Sequence, residues 1–100
     1  MAGQHAEKGN ADEFRLLLFV SGATPRSMRA VATVRRLCEQ SLTGRFKLDV
    51  IDVFRNPLAA RQHQIVALPT LLKLAPTPKR LFVGDMSDGA PLAAGLGIAS

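Results

Sequence analysis

The chain of 100 residues has one cysteine, no tryptophan, no tyrosine, and no apolar run longer than the five residues from Leu16 to Val20. Each shortage closes off a class of protein. A single thiol, Cys38, can neither close an internal disulfide nor build a cysteine metal cage, which points to a reducing, cytoplasmic setting. Five apolar residues fall far short of the ~20 that cross a bilayer. No basic-then-apolar leader opens the chain, so neither a membrane partner nor export is expected. The five phenylalanines are the whole aromatic complement, and most fall in strand-like segments. A stacking platform for nucleic acid is therefore poorly provided for. The sequence contains no phosphate-binding loop, no nucleophile elbow and no dinucleotide glycine pattern.

Acidic residues are also few, at 8 against 13 lysines and arginines. Their placement is uneven. Residues 1–13 hold Glu7, Asp12 and Glu13 against Lys8 and so carry −2, and the remainder carries +7, for a net of +5. A body this basic is drawn to acidic protein surfaces, nucleic acid or anionic membranes. Scattered arginines and few aromatics favour protein, and a basic nucleic-acid-binding module is the alternative.

What is present reads as one small α/β domain. With 47% hydrophobic and 21% charged residues the composition is that of a folded globular chain. At this length a core is marginal and self-association buries more surface. Residues 1–13 are small and polar and read as a flexible tail; 14–100 form the domain. Phe14 to Val20 is short, densely apolar and stopped by Ser21-Gly22, as in a strand buried on both faces. Thr24-Pro25 then supplies a hydroxyl cap and a first-turn proline. Apolar residues at Met28, Val31, Val34, Cys38 and Leu42, widened by Leu37, predict an amphipathic helix of about 17 residues, with Gly44 as its left-handed stop.

Phe46 to Val53 predicts a second buried strand, parallel to the first across a right-handed crossover. Asn56-Pro57 repeats the cap-and-proline start and opens a shorter helix to about Ile65. Leu71 to Leu74 and Lys79 to Val83 read as strands separated by a turn at Pro76 and Pro78. Pro91 to Ser100 predicts one or two helical turns, weakened by Gly95 and Gly97. The order βαβαββα, with Pro69 opening the third strand, is the thioredoxin-like arrangement.

That arrangement normally carries a low-pKa thiolate at the start of its first helix, where the helix dipole stabilises the anion. Here the position reads Thr24-Pro25-Arg26-Ser27, so thiol redox catalysis is not expected, and a thioredoxin-like protein without redox activity is a further alternative. Cys38, far along the apolar stripe, reads as a buried small hydrophobe. His5 and His63 lack partner ligands and read as solvated surface, so no metal site is expected. Asp49 and Asp52, three apart on a strand, point to opposite faces and make no acid/base pair. Asp52 reads as a strand-end residue meeting a helix terminus or an arginine. No catalytic residue and no cofactor follow from these patterns.

Four blocks carry a resemblance to a known family. Leu18-Phe19-Val20-Ser21-Gly22-Ala23-Thr24-Pro25 resembles the "LYVAGNTP" opening of the KaiB family, the small bacterial circadian-clock proteins. Val50-Ile51-Asp52-Val53-Phe54-Arg55-Asn56-Pro57 is similar to its "VIDVLKNP". Ala67-Leu68-Pro69-Thr70-Leu71 resembles "ATPTL", and Gly84-Asp85-Met86-Ser87 resembles "GDLS". The blocks keep register without gaps from about Leu16 to Ile98.

The resemblance implies a non-enzymatic regulator that binds a KaiC-type ATPase ring and recruits or displaces a KaiA-like protein or a sensor histidine kinase. It further implies fold switching between a tetrameric or dimeric ground state of order βαββααβ and the thioredoxin-like monomer. Residues 14–55 have firm periodicity, whereas 57–100 have short apolar runs whose identity tertiary context decides. Pro69 is the candidate hinge between the two folds, an ordinary strand-opening proline being the alternative. Carried over by position, Arg29, Lys73 and Arg80 occupy basic sites of the family pattern and are the candidate partner contacts, each otherwise read as part of a solvated charged face. Asn56, Arg61 and Gln64 of the second helix join them. The family's acidic run followed by lysine is replaced here by Arg61, Gln62, His63 and Gln64, and the acidic C-terminal tail and its tyrosine are absent.

Overall fold

The fold is given by a computed structural model that describes residues 13–98. Residues 1–12 of the expected 1–13 tail, with His5, and the final residues 99–100 lie outside the described residues. Seven elements follow in order: β1 Phe14–Val20, α1 Pro25–Ser41, β2 Phe46–Asp52, α2 Pro57–Gln62, β3 Thr70–Ala75, β4 Arg80–Val83 and α3 Gly89–Leu96. This is the expected βαβαββα. The four strands form one sheet in the order β2-β1-β3-β4. β1 and β2 run parallel, while β3 is antiparallel to both β1 and β4.

The central strand β1 is buried on both faces, as its composition predicts. Phe14, Leu16, Leu18 and Val20 join Ala30, Val34, Leu37 and Cys38 of α1, Leu71 of β3 and Leu92, Ala93 and Leu96 of α3 in one cluster. The alternate residue Phe19 is fully buried on the other face, 5.9 Å from the His63 ring just beyond α2. α1 and α3 thus cover one face of the sheet and α2 lies across the other.

The helix α1 has the expected cap and length. The Thr24 hydroxyl accepts from the Ser27 N–H at 3.2 Å, and Pro25 opens the first turn. Its inward face is rotated from the predicted stripe. Ser27, Ala30, Thr33, Val34, Leu37 and Cys38 are buried, Val31 is half-buried and Met28 is 58% exposed. The small residues Ser27, Ala30 and Thr33 let the helix lie close to the sheet, which turns the larger Met28 outwards. The helix also ends before Gly44. Leu42 N–H returns to the Cys38 carbonyl, and Gly44, at φ +73°, turns the chain towards β2.

β2 is not the doubly buried strand its apolar content suggested. It is an edge strand, with Lys47, Asp49 and Val50 exposed, because no strand covers its outer side. α2 stops at Gln62 rather than near Ile65. Gln64 takes φ +57° and Ile65 N–H reaches back to the Ala60 carbonyl, which ends the helical run. α3 starts earlier than Pro91: Asp88 caps it by accepting from Ala90 N–H at 3.0 Å, and Pro91 falls in the first turn, where no N–H is needed. Gly97, at φ +75°, is the C-terminal stop and not an interior defect.

Candidate interaction surface

At the end of α2, the segment Gln62–Gln64 leans over β3 and β4. With Leu72, Lys79, Arg80 and Leu81 these residues line a groove of about 400 Å³. The left-handed backbone at Gln64 brings this segment back over the sheet. The floor is apolar, from Leu72 and Leu81, which sit opposite each other in the β3–β4 pairing. The walls carry two amides, an imidazole, an ammonium and a guanidinium, and no carboxylate among the described residues lines the groove.

The fold therefore brings together two of the predicted contact residues, Gln64 and Arg80. Arg61 is exposed one residue before the groove. Lys73 pairs opposite Arg80 across the β3–β4 ladder and opposite Leu16 across β1–β3. It is only 6% exposed, which leaves little of it open to a partner and rules out the alternative of a solvated charged face. Asn56 lies at the other end of α2, where its side chain caps Ala59 N–H at 3.3 Å. It lines a separate cavity of about 440 Å³ with Gly22, Ala23, Asp52 and Arg55. Arg29, on the exposed side of α1, lines neither. Pro69 is buried directly before β3, follows a cis peptide, and accepts Gly84 N–H at its carbonyl.

His63 is half-buried against Phe19 and lines the groove, which corrects its reading as solvated surface. Lys79, Leu72 and Leu81 were not singled out from sequence, and Gln62 was noted only among the residues that replace the family's acidic run. The available signal was the alternation Arg80-Leu81-Phe82-Val83: Phe82 faces the core, and Leu81 and Val83 face out, 52% and 60% exposed.

The start of α1 carries a cluster of hydroxyls. Ser21 N–H donates to Ser27 Oγ at 3.1 Å, and Thr24 Oγ1 donates to the same oxygen at 2.9 Å. The hydroxyls tie the β1–α1 loop to the helix. Cys38 is fully buried, and its pKa is pushed up to about 11 by that burial first, then by Glu39, with Arg35 acting the other way. This is the opposite of an activated thiol. Asp52 Oδ1 accepts Gly22 N–H at 3.1 Å and Phe54 N–H at 3.0 Å. It thus ties two loops together rather than meeting a helix terminus or an arginine. No helix among the described residues is long and apolar enough to cross a membrane.

Comparison with known proteins agrees with this geometry. A family model described as the KaiB domain matches residues 17–98. The circadian clock oscillator protein KaiB of Trichodesmium erythraeum is 44% identical over 81 residues, which cover 81% of this chain and 78% of that protein. Its counterpart in Parasynechococcus marenigrum is 46% identical with the same coverage. Among solved structures, the N-terminal domain of Synechococcus elongatus SasA is similar at a TM-score of 0.69 with 26% identity, covering 87% of this chain and 86% of that one. Chloroplastic thioredoxin z reaches 0.72 with 23% identity, covering 95% and 87%, a likeness of fold. With four-fifths of its length matched and its sheet in the thioredoxin-like arrangement, the chain belongs to the KaiB family of circadian clock proteins.

Proposed function

We propose that this protein is a non-enzymatic cytoplasmic regulator that binds a KaiC-type ATPase ring and recruits or displaces a KaiA-like protein or a sensor histidine kinase. The observation that carries the reading is the family match through residues 17–98, which spans every element that builds the groove. The basic body of the chain and the carboxylate-free groove suit an acidic protein surface. The buried, raised-pKa Cys38 is a poor nucleophile and supports a binding role over thiol chemistry.

Action by fold switching completes the proposal. The resting protein self-associates as a tetramer or dimer in the βαββααβ order, and the partner binds the thioredoxin-like monomer. A partner that grips only one of two folds shifts the population towards it, while equal affinity for both shifts nothing. Arg29, Arg80, Arg61, Gln64 and Asn56 are the proposed contacts, with the buried Lys73 set aside and Pro69 at the hinge.

Size-exclusion chromatography with light scattering, run with a KaiC-type ATPase from the same genome, tests the reading. Co-elution at a defined stoichiometry, weakened by Arg80→Glu, is the expected result. Failure to associate in any nucleotide state of the ATPase would sink it.

A further inference from the structure

β4 closes one side of the sheet and pairs only with β3. Just beyond the strand, Gly84 N–H bonds to the Pro69 carbonyl, and hydrogen-bonded pairs alternate along an antiparallel ladder. Arg80 and Phe82 therefore turn their N–H and C=O groups to β3, and Leu81 and Val83 turn theirs to the free edge. The side chains of Leu81 and Val83 are also largely exposed, so the edge is apolar as well as unpaired, the condition under which strands recruit other strands. Its charges are sorted by end. Lys79, on the face of Leu81, is exposed at the start. Asp85 is exposed past the end and lines a cavity of about 200 Å³ together with Val83. Neither has an ion-pair partner among the described residues.

We propose that in the thioredoxin-like fold two copies of this chain join edge to edge through β4, antiparallel about a two-fold axis at Phe82. In that register Leu81 of each copy stands opposite Val83 of the other, and the outward N–H and C=O groups of both are matched. Their side chains meet on one face as apolar cross-strand pairs. Charge fixes the occupant and the register together. The same two-fold carries Lys79 of each copy to Asp85 of the other, an opposite-charge contact made at both ends. Arg80, on the other face, comes opposite Gly84, so no cations are set against each other. α3 packs over β4 where Gly95 meets Phe82, and its exposed positions, Ala90, Pro91 and Ala94, put no long side chain in the way. This contact joins copies that keep the observed fold, and it is distinct from self-association in the βαββααβ order.

Sedimentation velocity of the full chain, from about 10 µM to about 1 mM, is expected to show a dimer that dissociates on dilution. Lys79→Asp and Asp85→Lys should each weaken it at least tenfold, because each variant sets like charges against itself. An equimolar mixture of the two should restore association to the native level, since both end contacts between them are then of opposite charge. In a mixture of isotopically labelled and unlabelled native chains, filtered NOEs should join the Leu81 methyls of one copy to the Val83 methyls of the other. Absence of a dimer at the highest concentration, association that both variants leave unchanged, a mixture no stronger than the single variants, or cross-copy NOEs that omit Leu81 and Val83 would each overturn the proposal.

Discussion

At Gly95, in the last turn of α3, a Cβ would overlap Cε1 of the Phe82 ring. In sequence this glycine reads only as a weakness of the helix; in the fold it is what lets β4 and α3 approach. Alanine would gain about 1 kcal/mol of helix propensity, but overpacking costs about 1–3 kcal/mol. Gly95→Ala is therefore expected to lower stability by about 1 kcal/mol in urea unfolding, and an increase would show that the Phe82 ring yields freely. Cys38 gives a prediction with a defined pH window. Its folded pKa lies near 11, above the ordinary 9.0, so the folded state favours the neutral thiol. The resulting stabilisation is complete below about pH 9 and is lost as pH rises through about 11. The stability difference between the native chain and Cys38→Ala should accordingly shrink between pH 9 and 11, and a flat difference would contradict the assignment.

Among the elements, legibility followed how much of each fold decision was local. β1 is surrounded on both faces, so its composition alone declares it. Thr24-Pro25 starts α1 and Asn56-Pro57 starts α2 through side-chain caps that act within three residues. Thr24→Ala removes the cap on Ser27 N–H together with the hydroxyl donated to Ser27 Oγ. A loss of about 1–2 kcal/mol is expected from denaturant midpoints, and a change within error would show that the loop is held by other contacts. What sequence misplaced depended on neighbours. Met28 has the right period for the stripe, but the small residues of α1 set the approach to the sheet and turn it out. Edge position left β2 half-exposed despite its apolar content. The groove joins the end of α2 to β4, and that juxtaposition exists only once β3 has reversed the chain beneath them. Single residues of the site, Arg80 and Gln64, were legible through resemblance to the family. Their meeting with His63, Lys79 and Leu81 was not.

On the scale of the whole molecule, the two halves are held by unequal means. β1 and α1 supply eight members of the main cluster, whereas α2 has no buried residue and β4 is exposed along most of its length. A chain built this way can keep its first half while the second finds another packing a few kcal/mol away, which is the physical basis of the proposed switch. Backbone NMR of the protein, alone and with the KaiC-type ATPase from the same organism, tests this most directly. The account predicts that residues 14–52 keep the secondary shifts of strand, helix and strand throughout. Residues 57–98 should move from the ground-state order to helix, strand, strand and helix when the partner is added. A spectrum that is thioredoxin-like from the start and unchanged by the partner would contradict it.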